Sequence, residues 1–248
     1  METPLKQFDV IRPRFAGPSI NGDALGQSMK LIGTIMTYQS NSEIFGEKEP
    51  AEYVYNVVSG SVRTYKILSD GRRLIGGFYL PGDVFGFEFT KAHSLSAEAI
   101  NSTKLLALRR SALNALAGRD ISVAQQLSSL IALEMHHVQH HALQLLGRTA
   151  QERVASFLLE MGDRLSGDEI ELPMSRCDIG DYLGVALETV SRTLTSLQCV
   201  GAIKVTSRHI VLRNHSMLAR MADTAISSGI TRRFSYESEG AIKIDQGR

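Results

Sequence analysis

Apolar and polar positions along this chain fall into three regimes. From about 28 to 110, short apolar runs alternate with turn residues. Tyr53-Val54-Tyr55-Asn56-Val57-Val58 leads through Ser59-Gly60-Ser61 into Val62-Arg63-Thr64-Tyr65-Lys66-Ile67-Leu68. Ser69-Asp70-Gly71 then turns the chain into Leu74-Ile75-Gly76-Gly77-Phe78-Tyr79-Leu80, followed by Pro81-Gly82-Asp83. Evenly spaced short strands with Gly and Asp-Gly turns predict a sandwich or barrel.

From 111 to 146 the period becomes helical. Ser111 is the expected N-cap of a lead-in helix that Gly118 interrupts. Beyond it Ser128, Ile131, Met135, Val138, Ala142 and Leu145 recur at the alternating spacing of a two-helix seam. The stripe is narrow, and Gln125, Gln139 and Gln144 are read as an opposing polar face. A dimer helix is therefore expected in preference to a helix packed on its own domain.

From 148 onward the pattern is helix, turn, two short helices and a hairpin. Val154, Phe157, Leu158 and Met161 mark a helix over 148–165, and Gly167-Asp168-Glu169 reads as a turn. Ser175 to Leu183 is a short helix broken by Gly184, and Leu187 to Val200 a second stopped by Gly201. Ile203-Lys204-Val205 and Ile210-Val211-Leu212 flank Thr206-Ser207-Arg208 as a hairpin. The polar stretch 229–248 reads as a loose tail.

Two short helices across a Gly turn are the geometry of a helix-turn-helix, whose second helix enters the major groove. Ile179, Leu183, Val190, Leu194 and Leu197 can pack together, leaving Glu188, Thr189, Ser191, Arg192 and Thr195 outward. Arg192 can give paired hydrogen bonds to a guanine edge. Glu188, one turn earlier, can accept from a base amino group or hold the Arg192 guanidinium. Ser191 offers a small hydroxyl, and Thr189 and Ser175 are candidates for phosphate. Leu187, Arg176 and Arg208 complete the expected contact set.

Composition changes this picture little. The chain has 248 residues and a formal net charge of +1, so overall charge names no partner. Between Thr189 and Ala222 the charged residues are Arg192, Lys204, Arg208, Arg213 and Arg220, so DNA affinity must come from a small patch. Cys177 and Cys199 cannot build a disulfide framework, which suggests a reducing compartment. The N-terminus reads as neither a secretory signal nor a span, and no stretch nears the roughly 20 apolar residues a spanning helix needs. A cytoplasmic protein without membrane association is expected.

Further signals are weaker. His136, His137, His140 and His141 form i,i+4 pairs that can ligate metal, but they fall off the seam and read as a solvated face. Cys177 lies beside Arg176 at a helix start, a setting that favours thiolate; a redox switch competes there with a quiet thiol. A cupin-type enzyme would need converging ligands, and the first zone offers only His93 with scattered acids such as Glu88. No catalysis, metal or cofactor is expected.

The run Cys177-Asp178-Ile179-Gly180-Asp181-Tyr182-Leu183-Gly184 followed by Glu188-Thr189-Val190-Ser191-Arg192 resembles the CRP/FNR superfamily of bacterial regulators, most closely its FixK-type branch. The stretch from Leu146 to Leu159 resembles the helix these proteins place after their dimer helix. Tyr55 through Gly60, Asp70-Gly71 and Pro81-Gly82-Asp83 with Gly86 resemble their β-roll. The resemblance implies an α+β chain: an arm (1–27), a cyclic-nucleotide-binding-like β-roll of jelly-roll type (28–110), a dimerisation helix region (111–146), a winged helix-turn-helix (147–220) and a tail (221–248). It also implies homodimers on a TTGAT-N4-ATCAA-like palindrome read by Glu188, Ser191 and Arg192. Leu187 stands where the cAMP-responsive branch carries Arg.

The family further implies contact with RNA polymerase, with the loop around Ser69-Asp70-Gly71-Arg72-Arg73 as a candidate, and control of microaerobic, denitrification or nitrogen-fixation genes. Two departures matter. The Arg-Ser pair and upstream Glu that hold cyclic nucleotide align with Leu95-Ser96 and Phe87, so no cAMP binding is expected. No cysteine precedes Cys177, so the four-ligand iron–sulfur centre of the oxygen-sensing branch is not expected. An effector-gated version of the same reader is the alternative.

Overall fold

The computed structural model describes residues 24–229, with side chains over 25–222. The described residues open on α1 (Ala24–Ile32), and β1 (Thr34–Tyr38) follows. The zone expected to be β from residue 28 therefore begins with a helical turn. The reason is the i,i+4 pair Leu25 and Met29, both 1% exposed, which drops into a cluster with Leu106, Val123 and Leu130. The Leu25 N–H donates to Gln126 Oε1 at 2.7 Å. The arm expected over 1–27 lies mostly outside the described residues.

The strands β2 (Glu43–Phe45), β3 (Tyr53–Ser59), β4 (Val62–Ile67), β5 (Arg73–Tyr79), β6 (Val84–Phe85), β7 (Ser96–Ala99) and β8 (Thr103–Arg109) complete the first domain. They form two four-stranded antiparallel sheets, ordered β1-β8-β3-β6 and β2-β7-β4-β5. Phe45, Tyr55, Val57, Val62, Phe85, Ala97 and Leu105 fill the space between. Rings stack through it, with Tyr55–Phe85 centroids 5.2 Å apart and Phe45–His93 3.5 Å apart. Gly71 (φ +85°) makes the turn between β4 and β5, the place where the sequence shows Asp-Gly.

The helical region differs from expectation at its start. α2 (Arg110–Ala117) begins two residues early: its N-cap is Arg109, with no side-chain cap, and not Ser111. The β8 ladder runs to Arg109, so the strand dictates where the helix begins. Gly118 ends α2, and α3 (Ile121–Gly147) is capped by Asp120, which accepts from Ser122 N–H.

The C-terminal module comprises α4 (Ala150–Arg164), β9 (Glu169–Glu171), α5 (Arg176–Leu183), α6 (Leu187–Cys199), β10 (Ile203–Thr206), β11 (His209–Leu212) and α7 (His215–Gly229). A Thr149–Glu152 capping box starts α4. The residues read as a turn at 167–169 instead lead into β9, which pairs with β11 and makes a three-stranded sheet. Ile170 is the pivot: at 1% exposure its burial outweighs the local turn signal. The tail expected from 221 is interrupted by α7, which crosses that boundary because Leu218 and Ala222 pack into the module's core. The loose tail read over 229–248 lies outside the described residues, Gly229 excepted.

The two domains share one apolar cluster. Ile75, Phe78, Leu80 and Ile100 of the first domain join Val154, Phe157, Ile179, Leu183 and Leu197 of the second. The sheet face carrying β5 is thus seated on the helix-turn-helix.

Candidate nucleic-acid interface

Local chemistry shapes the reader. The Ser175 hydroxyl accepts from the Asp178 N–H at 3.1 Å, and the Asp178 carboxylate accepts from the Ser175 N–H at 2.9 Å. This reciprocal box fixes where α5 begins. Gly184 ends it at φ +64°, in the left-handed region that closes a helix tightly. Gly180 permits the next close approach: a Cβ there would lie 2.7 Å from the Val185 carbonyl oxygen. Two helices can cross this tightly only over a hydrogen side chain.

On α6, Val190, Leu194 and Leu197 turn inward at 0%, 4% and 0% exposure. Leu187, Glu188 and Arg192 are exposed, and Thr189 and Ser191 half-buried. The N-cap Ala186 makes no side-chain cap; its carbonyl accepts from the Thr189 and Val190 N–H groups at 2.9 and 3.1 Å, which leaves the Leu187 and Glu188 N–H groups at the helix start for an outside acceptor. No hydrogen bond or ion pair joins Glu188 to Arg192 among the described residues, so the clamp contemplated from their spacing is not formed. A different neighbour reaches over. Arg176 Nη1 donates to the Ser191 hydroxyl at 3.4 Å, tying the start of α5 to the reading face.

The wing is the β10–β11 hairpin, closed by Ser207 at φ +60° and Arg208. Gln198 Oε1 accepts from the Val205 N–H at 2.8 Å and pins the wing to α6. Ser175, Arg176, Ser207 and Arg208 border one shallow groove beside the reader. Cys177 is exposed on the first turn of α5, and Cys199 is exposed at the end of α6.

The seam residues of α3 divide. Met135 and Val138 are each 58% exposed and Ala142 is exposed. Ile131 and Leu145 are half-buried. Leu145 turns toward the module, where its carbonyl accepts from Arg153 Nη2 at 2.6 Å. Leu143 and Leu146 are 69% and 86% exposed, so the open apolar surface is wider than a single seam. Gln144, read as part of a polar face, is 4% exposed and bonds His140 at 3.0 Å.

The histidines also depart from expectation. His141 stacks on Tyr182, and burial pushes its pKa down to about 4. Burial lowers those of His137 and His140 as well. His136 is exposed as expected, but His137, His140 and His141 are covered by the C-terminal module and by β5, which helical spacing alone does not reveal. His137, His140, His141, Glu134, Glu160 and Arg164 border a cavity between the domains. Burial raises the Glu134 and Glu160 carboxyls. Arg164 Nη2 crosses to Asp83 Oδ2 at 2.5 Å and to the Phe78 carbonyl at 2.9 Å.

Sequence reasoning missed Arg63 and Arg73. Both reach from the first domain to α5, where Arg63 Nη1 donates to Asp178 at 3.2 Å and Arg73 Nη2 donates to the same oxygen at 2.6 Å. Arg73, read as part of an outward loop, is turned inward, whereas Arg72 folds onto Asp70 at 2.7 Å. The available signal was Arg63 itself, a charge next to the core residue Val62 on the opposite face of β4.

A jelly-roll sensor-type domain, a long helix and a winged helix-turn-helix with an exposed reading face define a DNA-binding transcription regulator. Residues 152–221 match the Crp-like helix-turn-helix domain, and residues 35–120 match the cyclic nucleotide-binding domain. The nitrogen fixation regulation protein FixK of Azorhizobium caulinodans is 46% identical over 203 residues, spanning 79% of this chain and 82% of that protein. The fumarate and nitrate reduction regulatory protein of Escherichia coli is 30% identical, over 82% of this chain and 84% of its own length. The structure of FixK2 from Bradyrhizobium japonicum superposes with a TM-score of 0.75 at 52% identity, covering 77% of this chain and 97% of that one. The chain belongs to the CRP/FNR family of transcription regulators and to its FixK-type branch. Among the described residues no helix is long and apolar enough to cross a membrane.

Proposed function

We propose that this protein is a cytoplasmic homodimeric activator that reads a TTGAT-N4-ATCAA-like palindrome without a bound effector. The observation that carries this reading is the reading face of α6: Glu188 and Arg192 are exposed, unpaired among the described residues, and backed by a buried Val190-Leu194-Leu197 row. Arg192 takes the guanine edge, Glu188 a base amino group and Ser191 the adjoining base. Ser175, Arg176, Thr189 and Arg208 take phosphates around them, and Leu187 contacts the groove edge.

Dimerisation falls to α3, where Ile131, Met135, Val138, Ala142 and Leu145 supply the apolar contact. The exposure of Met135, Val138 and Ala142 supports this, since such a surface is costly to leave in water. RNA polymerase is the further partner, and genes of microaerobic respiration, denitrification or nitrogen fixation are the targets; the names of relatives that regulate nitrogen fixation and fumarate and nitrate reduction support this. No cyclic nucleotide is used: at the place of the phosphate-holding Arg, Leu95 lies so close to Gly76 that a Cβ there would be 2.8 Å from Leu95 Cδ1.

A gel shift with purified protein, without added ligand, tests this directly. The palindrome shifts and a scrambled duplex does not. A shift that requires cell extract favours an effector-gated regulator instead.

A further inference from the structure

We propose that Arg63 and Arg73 are positioning residues for the DNA reader, fixing through Asp178 and Asp181 the angle at which α5 and α6 meet DNA. The inference rests on the proposed dimeric palindrome reading.

The Asp178 carboxylate serves two masters with separate oxygens. Oδ2 accepts from the Ser175 N–H at 2.9 Å and from its hydroxyl at 2.7 Å, which starts α5. Oδ1 accepts from Arg73 Nη2 at 2.6 Å and Arg63 Nη1 at 3.2 Å, which holds α5 to the β-roll. Arg63 is itself held by Glu98 of β7 at 2.9 Å and by Asn41 at 3.3 Å. Arg73 Nε extends the cluster to Asp181 at 2.8 Å. The side chains of Asp178 and Arg63 are 4% and 9% exposed. Burial alone would raise the Asp178 pKa, but the Ser175 hydrogen bonds and the two guanidinium charges outweigh it and hold the carboxyl below its ordinary value.

The apolar surface around the cluster, with Ile75, Phe78 and Tyr182, provides adhesion. Hydrophobic contact is non-directional and tolerates sliding. A buried carboxylate held by two guanidinium groups does not, since a small displacement leaves charge buried and unpaired. The docking angle is therefore set by the ion cluster. That angle passes to α6 because α5 and α6 move as one unit: Gly180 is packed against the Val185 carbonyl, and Ile179, Leu183, Val190 and Leu194 share a core. In a dimer the separation of the two reading helices selects the spacing between half-sites. Arg63 and Arg73 then govern spacer preference although neither is on the reading face.

The test compares wild type with Arg73→Ala and Arg73→Lys. Fluorescence anisotropy measures binding to palindromes whose spacer is native, one base pair shorter or one longer. In parallel, spin labels at the exposed Ser69 and Ser207 report the interdomain distance, in a Cys177→Ser, Cys199→Ser background diluted with unlabelled chains. Arg73→Ala is expected to lose most of the preference for the native spacer, several-fold or more, while still rejecting altered half-sites. Its distance distribution broadens, and Arg73→Lys restores most of both. If Arg73→Ala does not fold, Asp181→Asn removes the outer pair and is read in the same way. A distance distribution as narrow as wild type overturns the proposal whatever the DNA assay gives. Wild type that ignores the palindrome sinks the dimer reading instead, and the distance measurement still decides the latch.

Discussion

The His141 imidazole lies flat on the Tyr182 ring, with centroids 4.0 Å apart and planes 13° from parallel. The stack joins α3 to the first helix of the DNA reader and holds His141 neutral. Burial is the main cause of its low pKa, with His140 and Arg153 adding to it. The folded-state value is about 4 against an ordinary 6.5, so the unfolded chain binds the proton more readily. This contribution to stability is complete above the ordinary value and drains away as pH falls toward 4. Wild type should melt at lower temperature at pH 5 than at pH 7. His141→Phe, which keeps the ring, should lose part of that difference; an unchanged pH slope in thermal melts would contradict the assignment.

Arg192→Ala removes the guanine contact from each half-site. Loss of roughly 1–3 kcal/mol per bidentate contact amounts to about five- to 150-fold per half-site. Specific binding should vanish in anisotropy titrations while weak non-specific binding persists. Leu187→Arg should shift the preferred site rather than abolish binding. An Arg192→Ala protein that still discriminates the palindrome from a scrambled duplex would refute the base-reading role.

Met135→Glu with Val138→Glu places four like charges across a symmetric seam. The double variant should elute as a monomer with light-scattering detection, keep its circular dichroism, and bind the palindrome on the order of a hundredfold more weakly, since the second half-site is lost. A dimer of normal affinity would move the interface elsewhere.

Arg164→Ala strands Asp83, whose side chain is 10% exposed and, among the described residues, otherwise accepts only from the Leu80 N–H at 2.7 Å. Breaking one side of a buried pair costs about 3–5 kcal/mol. Urea unfolding should show a lower midpoint and an unfolding free energy reduced by that order.

Gly180→Ala drives a methyl into the Val185 carbonyl at 2.7 Å. Overpacking of this kind costs about 1–3 kcal/mol. The melting temperature of the variant should fall, and its DNA affinity should fall further than stability alone explains, because the angle between α5 and α6 opens.

Much of the reader was legible before any coordinates. Ser175, Gly184, Leu187 and Gly201 punctuate the two helices by rules acting over a few residues, and the alternation in 53–80 marks three strands of the roll. Where local signals competed with burial, burial prevailed. Ile170 turned an expected turn into β9, Leu25 and Met29 made a helix at the entry to the roll, and Leu218 with Ala222 carried α7 past the boundary drawn at 220.

The sequence by itself determined where the two helices of the reader begin and end and which side chains of α6 face outward, because each depends on neighbours within one or two helical turns. Only the tertiary structure decided that Arg63 and Arg73 converge on Asp178, and that Gln144 and His141 are covered rather than bathed in water. Those facts depend on how one domain lies on another. Residues 63 and 178 are far apart along the chain, and their meeting is fixed by the apolar surface and buried charge that docking brings together, which no local period encodes.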